Sequence, residues 1–176
     1  MKFNLVDRIE HLSDARIVTV KYVSLAEEYL ADHFPTFPVL PGVMMLEAAT
    51  QSAAWLLHKR TGFARSMAVL KEAKNVKYGS FVAPGNFLRI EAEWMKDTQA
   101  GAAFKATGSV GGKDTKLSQA LRQSSGLAVQ MRLELAYFNL ADKNPQLADV
   151  DRRIQEHNRQ RWELLAVGNK ELQLVV

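Results

Sequence analysis

Apolar and polar residues alternate from Arg16 to Val23, where Val18, Val20 and Tyr22 are interleaved with Thr19 and Lys21. That two-residue period belongs to a strand with one buried face. Phe3 to Leu12 reads as another extended segment, joined to it by a polar turn at Ser13-Asp14. Met67–Ala73, Phe87–Lys96, Ala102–Val110 and Leu127–Phe138 also read as strands, most clearly at Leu88, Ile90, Ala92 and Trp94. Ala83-Pro84-Gly85-Asn86 and Val110-Gly111-Gly112-Lys113 mark turns between them. One stretch differs. From Val43 to about Thr61 there is no proline or glycine, strong helix formers dominate, and Lys59, Arg60 and then Gly62 give a stop signal. Small and apolar residues lie all around this helix, so it is expected to be buried on most sides. The pattern predicts an α+β domain, one long central helix held against an antiparallel sheet.

Two segments fall outside that scheme. Residues 114–126 are polar and read as an exposed insertion in the last hairpin, whereas Pro145–Val167 spaces Leu147, Val150, Ile154, Trp162 and Leu165 among charges, as an amphipathic surface helix does. The expected organisation is a domain over residues 1–140 and a C-terminal helical extension over 141–176. Between the first strands and the central helix, Ser24 is placed to cap a short helical turn over Leu25–Leu30. A loop follows with Pro35, Pro38 and Pro41, none of which suits a helix interior.

The chain has 176 residues with 47% hydrophobic content, enough to fill the core of a single domain. With no cysteine, disulfides, thiolate metal sites and a cysteine nucleophile are excluded. The longest apolar stretches are too short for a membrane span, and Asp7 and Glu10 stand where a signal peptide would be uncharged, so a soluble cytoplasmic protein is expected. The net charge of +4 contains no run of five like charges and no basic stretch interleaved with aromatics, so nucleic acid is not an expected partner. His11, His33, His58 and His157 lack metal-ligand spacing, and no phosphate-binding or dinucleotide glycine loop is present. Neither metal nor cofactor is expected. Thr107-Gly108-Ser109-Val110-Gly111 lacks the first glycine of a nucleophile elbow.

The chemistry-bearing stretch runs Asp32-His33-Phe34-Pro35-Thr36-Phe37-Pro38-Val39-Leu40-Pro41-Gly42-Val43, then Met44-Met45-Leu46-Glu47 and, one turn on, Gln51. A proline-stiffened loop loses little freedom when it holds a histidine in place. At Gly42-Val43 the chain enters the helix, where free amides and the positive end of the dipole favour a developing negative charge. Glycine there lets a ligand approach the backbone. Glu47 lies in an otherwise apolar helix, where desolvation is expected to keep it partly protonated. Imidazole base, oxyanion hole and carboxyl acid form a consistent set for proton abstraction beside a carbonyl. A loop histidine is more often structural than catalytic, and a helix glutamate can serve only as an ion-pair partner, so the residues alone leave both readings open.

This segment resembles the signature of the 3-hydroxyacyl-carrier-protein dehydratases of type II fatty acid synthesis: Gly-His-Phe-Pro-Gly-x-Pro-Val-x-Pro-Gly-Val, three apolar residues, Glu-Ala, then Gln. Leu5-Val6-Asp7-Arg8 and Val82-Ala83-Pro84-Gly85-Asn86 resemble flanking family motifs, and the similarity covers roughly residues 3–140. The resemblance implies a hot-dog fold, a homodimer or higher oligomer of dimers with active sites at the subunit interface, and an acyl carrier protein as partner. It assigns His33 to take the C2 proton, Glu47 to help the C3 hydroxyl leave as water, and the Gly42 amide, beside Val43, to polarise the thioester carbonyl. Gln51 is implied as support, and Phe37, Val39 and Met44 are candidates for an acyl-tunnel lining, although ordinary core is the commoner role for such residues.

Asp32 and Thr36 replace two glycines of the motif, stiffening the loop and placing a carboxylate beside His33 in sequence. The related dehydratase that also isomerises the new double bond typically has aspartate in place of Glu47, which favours simple dehydration. Two alternatives remain at this point. One is a hot-dog thioesterase, in which His33 has no obvious task; the other is a non-catalytic acyl-binding module, which does not require both His33 and Glu47. Lys59, Arg60, Arg65, Lys71, Lys74 and Lys77 fall close together in sequence and are candidates for meeting an acidic carrier.

Overall fold

A computed structural model describes residues 3–112 and 126–167. Strands β1 (Arg8–Leu12) and β2 (Arg16–Tyr22) lead to a short helix α1 (Tyr29–Asp32) and the long helix α2 (Gly42–Arg60). Strands β3 (Met67–Tyr78), β4 (Asn86–Asp97), β5 (Gly101–Gly112) and β6 (Leu127–Phe138) follow, then two short 3-10 turns and helix α3 (Ala148–Leu165). The strands form one antiparallel sheet in the order β1-β2-β4-β5-β6-β3, and α2 packs against β2, β3, β4, β5 and β6. The expected architecture is present. Residues 113–125, which hold nearly all of the polar insertion at 114–126, and residues 168–176 of the C-terminal extension lie outside the described residues.

The period-two reading succeeds where a strand has one buried face. In β4, Leu88, Ile90 and Ala92 are buried and oppose Val110, Gly108 and Ala106 of β5. At Gly108 the sheet leaves no room for a side chain, since a Cβ there would lie 2.8 Å from Val129 Cγ1 and 2.9 Å from Ile90 Cδ1. The reading falls short at β3, which extends to Tyr78 rather than ending near Ala73. This strand is an edge, so Lys74 and Lys77 need no buried face, and an irregularity between them carries Asn75 at φ 54°.

Ser24 caps a turn rather than a helix. Its hydroxyl accepts from the Ala26 amide at 3.1 Å, and the helix starts only at Tyr29. Lys21 is responsible for much of this local geometry: it is 7% exposed and its ammonium stands 2.7 Å from Glu27 and 3.4 Å from Asp7. A buried ammonium requires such partners. The pair ties the turn to the end of β2, and Leu30 anchors α1 in the core.

Helix α3 is docked through its apolar stripe. Trp162 and Leu165 are buried, and the Trp162 ring meets Trp55 and Phe63 with centroids 6.1 Å away in each case. At its N-terminal end Asp151 is 4% exposed and accepts from the Ser66 hydroxyl and from the amides of Leu140 at 2.9 Å and Ala141 at 2.8 Å. Burial alone would raise that carboxyl, but the three donors hold its pKa below the ordinary value. No helix among the described residues is long and apolar enough to cross a membrane.

Candidate active site

The start of α2 is set by Pro41, whose carbonyl accepts from the amides of Met44 and Met45. No side chain caps this end, so the amides of Gly42 and Val43 have no acceptor among the described residues. Val43 is 68% exposed. The close approach at Gly42 is made by a side chain of the same chain, since a Cβ there would stand 3.0 Å from a ring carbon of Tyr78. The ring lies over the helix entry. Tyr78, 52% exposed at the end of β3, carries no sequence signal that places it there, since the contact joins positions far apart in the chain.

His33 caps the C-terminal end of α1 with extended backbone, and its ring stacks on Phe34 at 4.3 Å. The loop then turns back through Phe37 N donating to Phe34 O at 2.9 Å, and it is pinned to the sheet side by Leu40 N donating to Val82 O at 2.9 Å. The imidazole is half-buried, and no described side chain hydrogen-bonds it or forms an ion pair with it, Asp32 included. Phe37 meets Phe81 edge-on at 5.7 Å, Val39 is a core residue at 1% exposure, and Met44 is half-buried against the core.

Glu47 is half-buried, less enclosed than its apolar neighbours in sequence imply. The reason is the helix phase: Val43, Glu47, Gln51 and Ala54 form the one stripe of α2 turned away from the sheet, while Met45, Ala48, Ala49, Ser52, Ala53 and Leu56 face it. Gln51 donates to Glu47 Oε1 at 2.9 Å and to the Phe3 carbonyl at 3.0 Å, and accepts from the Leu5 amide at 2.9 Å. One amide thus ties the Glu47 carboxylate to the N-terminal segment. Within one chain the structure brings Glu47 to Gln51 but joins neither to His33.

The six basic residues that cluster in sequence do not form one free patch. Arg60 stacks over Trp94 at 4.5 Å, Lys59 over Trp162 at 5.4 Å, and Arg65 donates to the Tyr137 carbonyl at 2.9 Å. Lys71 pairs with Glu134 and Lys74 with Glu72, both at 2.8 Å. The first three lie around the C-terminal end of α2 and the others on the edge strand.

That end of α2 also holds a cluster the sequence reading missed. His58 is 5% exposed, 3.4 Å from the Tyr137 hydroxyl, which shares a 2.8 Å hydrogen bond with Thr61 and accepts from the Arg65 amide at 3.2 Å. Burial pushes the His58 pKa down to about 4.

Comparison with known proteins is consistent with this arrangement. Residues 9–119 match the ApeI-like family of ApeI dehydratases. The 3-hydroxyacyl-[acyl-carrier-protein] dehydratase FabZ of Clostridium perfringens (strain SM101 / Type A) is 34% identical over 111 residues, 63% of this chain and 80% of the relative. The protein of the same name from Solibacter usitatus (strain Ellin6076) is 38% identical over 111 residues, 62% of this chain and 68% of the relative. Among solved structures, the dehydratase heterocomplex ApeI:P from Xenorhabdus doucetiae superimposes with a TM-score of 0.54 at 19% identity, over 77% of this chain and 99% of that one. The helix wrapped by an antiparallel sheet is the hot-dog fold, and the chain belongs to the ApeI-like dehydratase family.

Proposed function

We propose that this dehydratase removes water from (3R)-hydroxyacyl thioesters carried on an acyl carrier protein, giving trans-2-enoyl thioesters, in the cytoplasm and in fatty acid or related lipid or polyketide synthesis. His33 takes the proton from C2, the Gly42 and Val43 amides hold the thioester oxygen as charge develops on it, and Glu47 gives a proton to the C3 hydroxyl, which leaves as water. Gln51 orients the Glu47 carboxyl. The working unit is residues 1–140, with 141–176 as an extension. What carries this reading is the pairing of uncapped amides at Gly42-Val43 with a His33 ring that stacks on Phe34 but has no hydrogen-bond partner among the described residues.

The site is completed by a second subunit, His33 of one chain meeting Glu47 of the other. Two observations support this. No hydrogen bond or ion pair joins His33 to Glu47 within one chain, and the helix entry is rimmed by exposed apolar side chains: Phe34 at 51%, Val43 at 68%, Tyr78 and Phe81. Strand β3 also leaves one edge without a strand among the described residues.

Mixing tests the geometry. His33→Ala and Glu47→Ala chains, unfolded and refolded together, should form mixed dimers with one intact and one doubly defective site, returning about a quarter of wild-type activity. Mixed dimers are verified first with differential tags. If they form and activity stays at the parental level, the shared site is wrong. The ApeI:P structure is a heterocomplex, so the same tagged chains also distinguish a copy of this chain from a different partner: a chain that stays monomeric and inactive alone requires the latter.

A further inference from the structure

Helix α1 is a single turn of 4 residues that ends on His33, too short to hold a fixed position by its own hydrogen bonds. No side chain caps its start. Leu30 is buried in the core, and the Tyr29 hydroxyl is buried with no hydrogen-bond partner among the described residues. One polar tether remains. Among the described residues, the bond from the Lys21 ammonium to Glu27 at 2.7 Å is the only hydrogen bond joining residues 24–32 to another part of the chain. We propose that Lys21 and Glu27 are positioning residues for the dehydration, holding α1 so that the His33 imidazole stands where the C2 proton can be taken. The inference rests on His33 acting as the base.

The tether starts from a fixed point. Lys21 lies on the core side of β2, opposite the fully buried Leu88 of β4, and is 7% exposed. Its second anion, Asp7 at 3.4 Å, is itself bound to β2: the Asp7 carboxylate accepts from the Tyr22 amide at 2.7 Å, and the Asp7 amide donates to the Val20 carbonyl at 2.8 Å. From the ammonium the link runs through the Glu27 side chain to the Glu27 carbonyl, which accepts from the Leu30 amide of α1 at 3.0 Å. His33 follows at the end of that turn. A displacement of Glu27 is therefore passed to His33 through one helical turn, while the sheet fixes where the turn begins.

Stability alone does not account for this pair. Removing an ammonium and a carboxylate from water costs about as much as their attraction returns, and apolar side chains of similar size often fill such a place without loss. What the ammonium adds is direction. Held between a carboxylate of the N-terminal segment and one of the turn, it sets a distance and an orientation that an apolar contact leaves loose. A base needs that precision, because a misplacement of about 1 Å can lower turnover about a hundredfold.

Glu27→Leu and Glu27→Gln separate positioning from packing, since Lys21 keeps Asp7 in both and only glutamine leaves an acceptor for the ammonium. Glu27→Leu should lower kcat by about ten- to a hundredfold with KM within about twofold, and Glu27→Gln should return kcat to within about threefold of wild type. Amide exchange at Leu30 and Ala31 should quicken in Glu27→Leu while the thermal midpoint stays close to that of wild type. The same change made in a His33→Ala chain should lower the residual turnover by less than about twofold, because both residues act through one imidazole. Wild-type kcat in Glu27→Leu, or an equal further loss in the His33→Ala chain, overturns the positioning role. Should Glu27→Leu fail to fold, Lys21→Met/Glu27→Leu, which leaves no buried ammonium, replaces it in each comparison. Full turnover of His33→Ala by itself overturns the reading of His33, and the positioning role with it.

Discussion

At the C-terminal end of α2, His58, Thr61, Tyr137 and the Arg65 amide satisfy one another beneath the rings of Trp55, Phe63 and Trp162. At the N-terminal end, two amides and an imidazole have no hydrogen-bond partner among the described residues, and apolar side chains stand in solvent. The same helix is thus closed by its own chain at one end and left open at the other. Groups left open to solvent at one end of the helix, beside exposed apolar side chains, are where the proposed reaction is placed. Stability should therefore reside at the first end and activity at the second.

The largest expected effect is kinetic. His33→Ala should lower turnover by about 10² to 10⁴ while changing stability by no more than about 0.5 kcal/mol, because the ring is half-buried on a loop and held by no hydrogen bond. Glu47→Gln should lose turnover comparably and keep acyl-chain binding. Steady-state kinetics beside thermal unfolding of the same preparations decides this, and a large loss of stability at His33 would break the contrast between the two ends.

Trp162→Ala should do the reverse. Removing a buried tryptophan costs about 3–5 kcal/mol, here from the docking of α3, to be read from denaturant unfolding and amide exchange along the helix. Unchanged protection of α3 would mean that its contacts with Trp55 and Phe63 contribute little.

His58 makes the closed end sensitive to acid. Its folded pKa of about 4 lies below the ordinary 6.5, so the unfolded chain takes up the proton first as pH falls. Stability from this group is fully present above pH 6.5 and is lost progressively down to pH 4, a loss of about 3 kcal/mol. His58→Phe should flatten unfolding free energy over that window. Asp151, whose pKa is lowered rather than raised, acts only below its ordinary 3.8 and does not interfere.

Gln51→Leu sharpens the comparison from between the two ends. It leaves the Leu5 amide without its acceptor, a cost of about 1–3 kcal/mol, and frees Glu47 to reorient, so a modest loss of stability should accompany slower turnover. A stability loss with unchanged kcat would reduce Gln51 to a clamp on the N-terminal segment.

Much of this was legible residue by residue. Leu88, Ile90 and Ala92 predicted their strand because a one-sided sheet demands alternation, and the run from Val43 to Arg60 predicted its helix because nothing in it breaks one. His33, Gly42, Glu47 and Gln51 were legible as candidates since the loop, helix entry and carboxyl are close in sequence. The second half of β3 was not, because an edge strand satisfies itself without a pattern.

Local order along the chain determined which residues form the helix entry and which are candidates for its proposed acid, base and amide donors, since those depend on dihedral preference, helix phase and spacing over a few turns. Only the tertiary structure decided that Tyr78 covers Gly42, that Tyr137 closes on His58, that α3 walls a cavity beside Gln51, and that His33 and Glu47 do not engage within one chain. The physical reason is that contacts between positions tens of residues apart are set by how whole elements pack around α2, and packing depends on the combined shape of many side chains rather than on any local period.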